Sequence, residues 1–267
     1  MLLLTSIIII LIIFIIYILY NNTNSRSLSY NYETDETYET DDIGVGQNIE
    51  LSPELSDNDI INLKKGQKKM TNILYEFDRI CRKYDLKYWC IGGTLIGVLR
   101  HKGWIPWDGD MDVGMIDTDY KKLENVIDKE LPDNMWFQNT KKDKHYTNYA
   151  IAKIRDLNSC YKSSPKDSHN GLQLDIFLFK KDKNILISDL PEFNQSGFDY
   201  SYIFPLKEKL FENIKVYIPN KYEKYSKKVW GDEIPKLLDI NERLPHEGLI
   251  DPNNTCEHHY ELYPNLY

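Results

Sequence analysis

The chain has 267 residues, 42% of them apolar, with a formal net charge of −8 and a pI near 5.3. That supports a core for one large domain or two small ones and excludes the basic field that long nucleic acids require, so nucleic acid is not an expected partner. Four cysteines, Cys81, Cys90, Cys160 and Cys256, are too few and too scattered for a disulfide scaffold, and no Cys-x-x-Cys pair offers a zinc corner.

Residues 2–20, LLLTSIIIILIIFIIYILY, carry no charge. As a helix rising ~1.5 Å per residue they would span about 28 Å, close to the ~30 Å hydrocarbon thickness of a bilayer. No basic run precedes them and no small-residue cleavage site follows, so they read as an uncleaved transmembrane anchor. Lys and Arg are too sparse on either side to orient it. Residues 21–56 are Asn/Ser-rich and then acidic from Glu33 to Asp42, the composition of a disordered stalk. Asn21, Asn194 and Asn253 sit in glycosylation sequons, usable only if that side is luminal.

From residue 57 the pattern becomes that of a folded domain, expected to run to 244. Ser56 or Asp57 can cap a helix whose Met70, Ile73, Leu74, Phe77, Ile80 and Cys81 recur at three-and-four spacing. Tyr88 to Ile91 reads as a buried strand. Gly92 and Gly93 break it, and Thr94 can cap a helix over 95–100, an arrangement in which a ligand phosphate can approach backbone N–H groups. The basic run Arg100-His101-Lys102 closes that helix. After an aromatic-proline turn come Asp108, Asp110 and Asp112. If a strand runs from Asp110 to Met115, Asp110 and Asp112 share one face while Met111 and Val113 point into the core. Two carboxylates ~7 Å apart on one face repel unless a positive group lies between them, and Mg²⁺ or Mn²⁺ is the usual solution. Asp108 can either act as a base or shape the turn by an Asx-type hydrogen bond; the turn role is favoured.

A helix is expected over 117–131, stopped by Pro132, then a strand over 135–138. In YAIAKIRD, residues 149–156, Lys153 and Arg155 share a strand face, either as a solvated edge or as phosphate ligands opposite the metal. In 171–179, GLQLDIFLF, Asp175 lies between phenylalanines in a strand apolar on both sides, which is costly unless the carboxylate is paired or metal-bound. Residues 245–267 read as a tail, within which Cys256-Glu-His258-His259 lacks partners at zinc spacing.

The stretch GGTLIGVLRHKGWIPWDGDMDVGM, residues 92–115, resembles the LicD/fukutin family of phosphotransferases. The family pattern is a Gly-Gly-Thr-Leu-Leu-Gly segment, an Arg-His-x-Gly step and an Ile-Pro-Trp-Asp turn into Asp-x-Asp. The likeness covers most of residues 68–240, including the Leu-Asp-Ile-Phe strand and a closing segment of strand, Pro-Asn turn, helix and aromatic-Gly-Asp, where Trp230 replaces the more usual Tyr. It implies an α/β (α+β) nucleotidyltransferase-like fold, a mixed sheet flanked by helices, here preceded by the anchor and stalk. It further implies transfer of a phospho-alcohol group from a CDP-linked donor to a glycan hydroxyl. Asp110, Asp112 and Asp175 would hold one or two Mg²⁺ or Mn²⁺ ions, with Asp108 beside them in the catalytic set. Gly92, Gly93, Thr94, Arg100, His101, Lys102, Lys153 and Arg155 would contact substrate. A stalked N-terminal anchor then looks like an ER/Golgi-type enzyme with a luminal domain.

Three rivals remain. Asp108, Asp110, Asp112 and Asp119 fall at positions 1, 3, 5 and 12 of a calcium loop, but Val113 stands where that loop needs Gly. A catalytically inactive glycan-binding or scaffold protein would share the fold. A nucleotidyltransferase acting on a small acceptor would share the metal site as well.

Overall fold

The computed structural model describes residues 49–267 apart from 148, 189, 191–196 and 233–234. The apolar segment 2–20, most of the acidic stretch and the sequons at Asn21 and Asn194 lie outside the described residues. All described residues fall in one unit of the chain, Ile43–Tyr267. Among them no helix is long and apolar enough to cross a membrane.

Order begins before residue 57, because Ser52 is buried and its N–H donates to the Arg243 carbonyl. Helix α1 (Asp57–Lys83) then starts on a reciprocal cap: Ser56 Oγ accepts from the Asp59 N–H and the Asp59 carboxylate accepts from the Ser56 N–H. Strand β1 (Tyr88–Cys90) follows, and then the short helix α2 (Gly92–Ile96), which widens into a π turn over Gly97–His101. This differs from the expected helix. Its cap is extended Ile91, without a side-chain bond, and Thr94 lies inside it with its hydroxyl turned to another task.

Strand β2 (Asp112–Ile116), helix α3 (Asp117–Glu130), β3 (Met135–Asn139) and β4 (Ala152–Asp156) come next, then β5 (Cys160–Tyr161) and β6 (Gln173–Asp182). Beyond them lie β7 (Ile185–Ser188), β8 (Phe198–Asp199), α4 (Tyr200–Ile203), the β9–β10 hairpin (Lys207–Phe211 and Ile214–Ile218) and α5 (Tyr222–Trp230). Gly231, at φ +81°, ends α5 in the left-handed region.

The main sheet runs β1-β2-β6-β4-β3, with β7 and β8 extending it from β6. Only β2 and β6 are parallel; the other pairs are antiparallel. It is thus a mixed sheet flanked by helices. Alternation divides its faces. Val113, Met115, Ile154, Leu174 and Ile176 share the apolar face, on which α1 and α3 pack. The Tyr88 ring meets Phe77 of α1 on that face, and Phe137 meets Tyr120 of α3. The other face carries Asp112, Lys153, Arg155 and Asp175 at one end and, farther along β1, β2 and β6, Trp89, Phe177 and Phe179.

Residues 245–267 are no loose tail. Strand β11 (Ile250–Asp251) pairs with β5, and helix α6 (Glu257–Leu262) follows with His259 fully buried. Cys160 and Cys256 form a disulfide, so the scattered cysteines do contain one long-range bridge, while Cys81 and Cys90 are buried and free.

Candidate active site

The acidic stretch is held from three directions. Gln67 of α1, buried, donates its side-chain N–H groups to the carbonyls of Ile105, Pro106 and Asp108 at 3.3, 3.3 and 3.0 Å. Tyr161 donates to the Gly109 carbonyl at 2.6 Å. The Asp112 N–H donates to Thr94 Oγ1 at 2.8 Å, which is where the expected helix cap is spent. Met111 and Val113 are buried in the core as expected, but β2 begins only at Asp112, so Asp110 and Met111 precede the strand that the sequence placed from Asp110 to Met115.

Those anchors converge the carboxylates. Asp112 and Asp175 are direct neighbours across the parallel β2–β6 pair. Ligand atoms of Asp110, Asp112 and Asp175 lie within 4.8 Å of one another. The glycines make this possible: a Cβ on Gly92 would sit 2.6 Å from Asp112 Oδ2, and one on Gly93 would sit 2.5 Å from Asp108 Oδ2. Gly92 also has φ +53°, which a side chain would disfavour. The observed part played by the glycine pair is to let two carboxylates press against bare backbone.

Electrostatics make the cluster costly. Asp110 and Asp112 are both pushed well above the usual carboxylate range, by burial first and then by neighbouring carboxylates. Asp108 is raised to about 7, by burial and then by Glu247. It therefore belongs to the acidic group as well as to the turn. Lys153 supplies the main buried countercharge, its Nζ 2.6 Å from Asp175 Oδ2, and Gln173 donates to the same oxygen at 3.1 Å. The other oxygen, Asp175 Oδ1, is buried and has no hydrogen-bond partner. A buried acceptor left over beside two further carboxylates fits a hard divalent cation, whose oxygen ligands it would complete.

Lys153 and Arg155 are not a solvated edge, since β4 lies inside the sheet between β6 and β3. Arg155 is only 6% exposed and donates to neutral acceptors: Gln138 Oε1 at 2.8 Å, the Gly171 carbonyl at 2.8 Å and Gln173 Oε1. With Lys153, Tyr146, Asn170 and Glu247 it lines a cleft of about 240 Å³. The expected basic run engages other groups. Arg100 donates to His101 Nε2 and to the Pro235 carbonyl, and the Lys102 carbonyl accepts from the Glu212 N–H. Burial and Arg100 lower His101 to about 4. Asp119 accepts from the Lys87 N–H and from Lys122, away from the carboxylate group, so no calcium loop forms.

Two residues of the site have no counterpart in the sequence reading. His246 lies 3.9 Å from Asp108 Oδ1 and 3.7 Å from Asp110 Oδ2, and its Nε2 meets Glu247 Oε1. Both sit in the segment read as a tail, and nothing local in Pro-His-Glu-Gly distinguishes them from a solvated turn. Cys256, near the same end, is committed to its disulfide. His259 Nε2 accepts from the Asn170 N–H, and His258 Nε2 meets the Ser168 carbonyl.

Comparison with known proteins adds to this geometry. Residues 85–221 match the family model described as LicD/FKTN/FKRP, nucleotidyltransferase domain. The chain is 41% identical over 86 residues to the lipopolysaccharide cholinephosphotransferase LicD of Haemophilus influenzae, covering 32% of this chain and 28% of that protein. It is 23% identical over 175 residues to the ribitol 5-phosphate transferase FKRP of Mus musculus, covering 62% of this chain and 31% of that protein. The chain thus spans about a third or less of each of these two relatives. A solved structure of ANT(2″)-Ia with adenylyl-2″-tobramycin overlaps it at a TM-score of 0.36 and 12% identity, over 60% of this chain and 78% of that one. That overlap is too loose to bear on function.

Proposed function

The chain belongs to the LicD/FKTN/FKRP family, whose model covers just over half of it, and from that membership we propose that it is a metal-dependent phosphotransferase. In this reading a phospho-alcohol group, such as phosphocholine or ribitol phosphate, passes from a CDP-linked donor to a glycan hydroxyl. The bond that breaks is the diphosphate link, so CMP leaves; the bond that forms joins the alcohol-bearing phosphorus to the acceptor oxygen. Mg²⁺ or Mn²⁺ held by Asp110, Asp112 and Asp175 would neutralise the diphosphate and the leaving phosphate.

The chain's own residues have separate tasks. Lys153 fixes Asp175 through one oxygen and leaves Oδ1 free for the cation. Arg155, buried among neutral acceptors, keeps a positive charge at the cleft for an anionic part of the substrate. Gly92 and Gly93 keep the backbone bare beside Asp112 and Asp108, where the donor phosphates would lie. Segment 2–20 would hold the domain at a membrane, on the luminal side of an ER/Golgi-type compartment. The Cys160–Cys256 disulfide and the exposed Asn253 sequon support that side, because disulfides persist in oxidising compartments.

The observation that carries the proposal is the convergence of Asp110, Asp112 and Asp175 around an unpartnered Asp175 oxygen. Its test is product analysis. The full chain is incubated with CDP-choline or CDP-ribitol and a panel of saccharides, with Mg²⁺ or Mn²⁺ and with EDTA, and products are weighed by mass spectrometry. Acceptor-dependent CMP release with a saccharide gaining phosphocholine or ribitol phosphate is expected, and is lost in EDTA. A saccharide gaining CMP would assign nucleotide transfer instead. Saccharide binding without turnover of either donor would favour a scaffold.

A further inference from the structure

Arg155 is a buried cation with no carboxylate at ion-pair distance among the described residues, and Asp143, 4% exposed, is a buried anion with no cation at that distance. Either charge alone would be expensive to bury. A single side chain joins them. Gln138, 1% exposed, accepts from Arg155 Nε at 2.8 Å and donates its Nε2 to Asp143 Oδ2 at 2.6 Å. The two neighbours fix which way the amide faces, because a guanidinium only donates and a carboxylate only accepts. Gln138 thus relays an ion pair across one amide.

Asp143 is held in turn. The His145 N–H donates to its Oδ1 at 2.8 Å, and the Tyr263 hydroxyl donates to its Oδ2 at 3.0 Å. Tyr263 follows α6, outside the residues that match the family model, and its ring packs on Trp136, the β3 residue directly opposite Arg155. In the other direction Arg155 Nη1 donates to Gln173 Oε1, and Gln173 Nε2 donates to Asp175 Oδ2 at 3.1 Å.

The relay matters for the cleft. An aspartate set directly against Arg155 would grip the guanidinium at two points and use up its outer N–H groups. Here Nε and Nη1 are spent on Gln138, Gln173 and the Gly171 carbonyl. Nη2 has no hydrogen-bond partner among the described residues, and the side chain lines the cleft. The charge is balanced at one remove, and the Nη2 donors stay open to an anion.

We propose that Asp143 and Tyr263 are positioning residues for the substrate: through Gln138 they hold the Arg155 guanidinium so that Nη2 takes an oxygen of the donor diphosphate. The proposal rests on the reading that the cleft receives that diphosphate. Asp143 and Tyr263 do not line the cleft, so they act through Arg155 alone. By this route the segment after the family domain reaches the donor.

The test is calorimetric titration of the full chain in Mn²⁺ with CDP-choline, CDP-ribitol and inorganic pyrophosphate, alongside Mn²⁺ affinity and melting temperature for each variant. Asp143→Asn keeps the shape and removes the charge, and Tyr263→Phe removes one hydroxyl. Each should weaken whichever of the three ligands the wild type binds by about five- to tenfold, with Mn²⁺ affinity unchanged. In an Arg155→Lys background neither should weaken binding further. If Asp143→Asn does not fold, Tyr263→Phe decides by the same criteria. Undiminished binding in the folded variants would overturn the proposal. So would an equal loss in the Arg155→Lys background, which marks a general loosening of the site. Binding of pyrophosphate but of neither donor, with the expected pattern, would uphold the positioning and overturn the CDP reading. A wild-type chain that binds none of the three would overturn both.

Discussion

A buried carboxylate among other carboxylates lowers stability, and burial and the neighbouring Asp112, Glu247 and Asp108 dominate the surroundings of Asp110. Its acidity has a definite sign. Because the folded state raises the pKa of Asp110 above 3.8, and that of Asp108 to about 7, the folded protein holds protons that the unfolded chain releases. That contribution is fully present below about pH 4 and is lost as pH rises through 7. Asp110→Asn in EDTA should therefore be more stable than the wild type at neutral pH, by about 1–2 kcal/mol. The gain should shrink toward pH 4, and thermal melts across pH 4 to 8 read it directly. A variant less stable than the wild type at pH 7.5 in EDTA would show that the carboxylate is satisfied by the protein itself. The aspartates were legible in the sequence because the Asp-x-Asp spacing is local, although the strand that was to carry both begins only at Asp112. Their cost, and the Lys153 partner of Asp175, were not, since Lys153 meets Asp175 only through the β4–β6 register.

Among the elements, β2 carries the tightest constraint. Gly114 lies opposite Trp89 of β1, and a Cβ there would come within 2.8–2.9 Å of the Trp89 and Phe179 rings. Both rings are fully buried, so neither can move aside cheaply. Gly114→Ala is expected to cost about 1–3 kcal/mol, read as a lower urea midpoint with an unchanged slope. An unchanged midpoint would mean that β1 and β2 are not locked in the register described. Long periodic elements such as α1 and α3 were readable because their apolar spacing persists over several turns. Helix α2 was not read correctly. The sequence offers Thr94 as a cap, but its hydroxyl is taken by the Asp112 N–H, eighteen positions later, and such a competing partner is invisible to local pattern.

For the molecule as a whole, the closing segment changes what the chain is. A reading by composition leaves 245–267 outside the domain, yet this stretch supplies His246 and Glu247 to the site and is bridged to β5 across a sequence separation of 96 residues. Four scattered cysteines do not identify their pairing, which only the approach of β5 and the start of α6 determines. Closing so long a loop is worth roughly 4–5 kcal/mol in the chain-entropy account, and native disulfides commonly return about 2–5. Cys256→Ser should lower stability by that amount in denaturant. A midpoint indifferent to both the substitution and a reductant would mean that the bridge does not form in solution.

The measurement that tests the central claim most directly is calorimetric titration of the full chain with CDP-choline and CDP-ribitol, in Mn²⁺ and in EDTA. An Asp110→Asn/Asp112→Asn variant serves as the control. A cation held by these carboxylates and shared with the donor diphosphate predicts binding that requires Mn²⁺ and weakens at least tenfold in the variant, a loss of about 1.4 kcal/mol or more. Equal affinity for either donor in Mn²⁺ and EDTA, unaffected by the two substitutions, would contradict it.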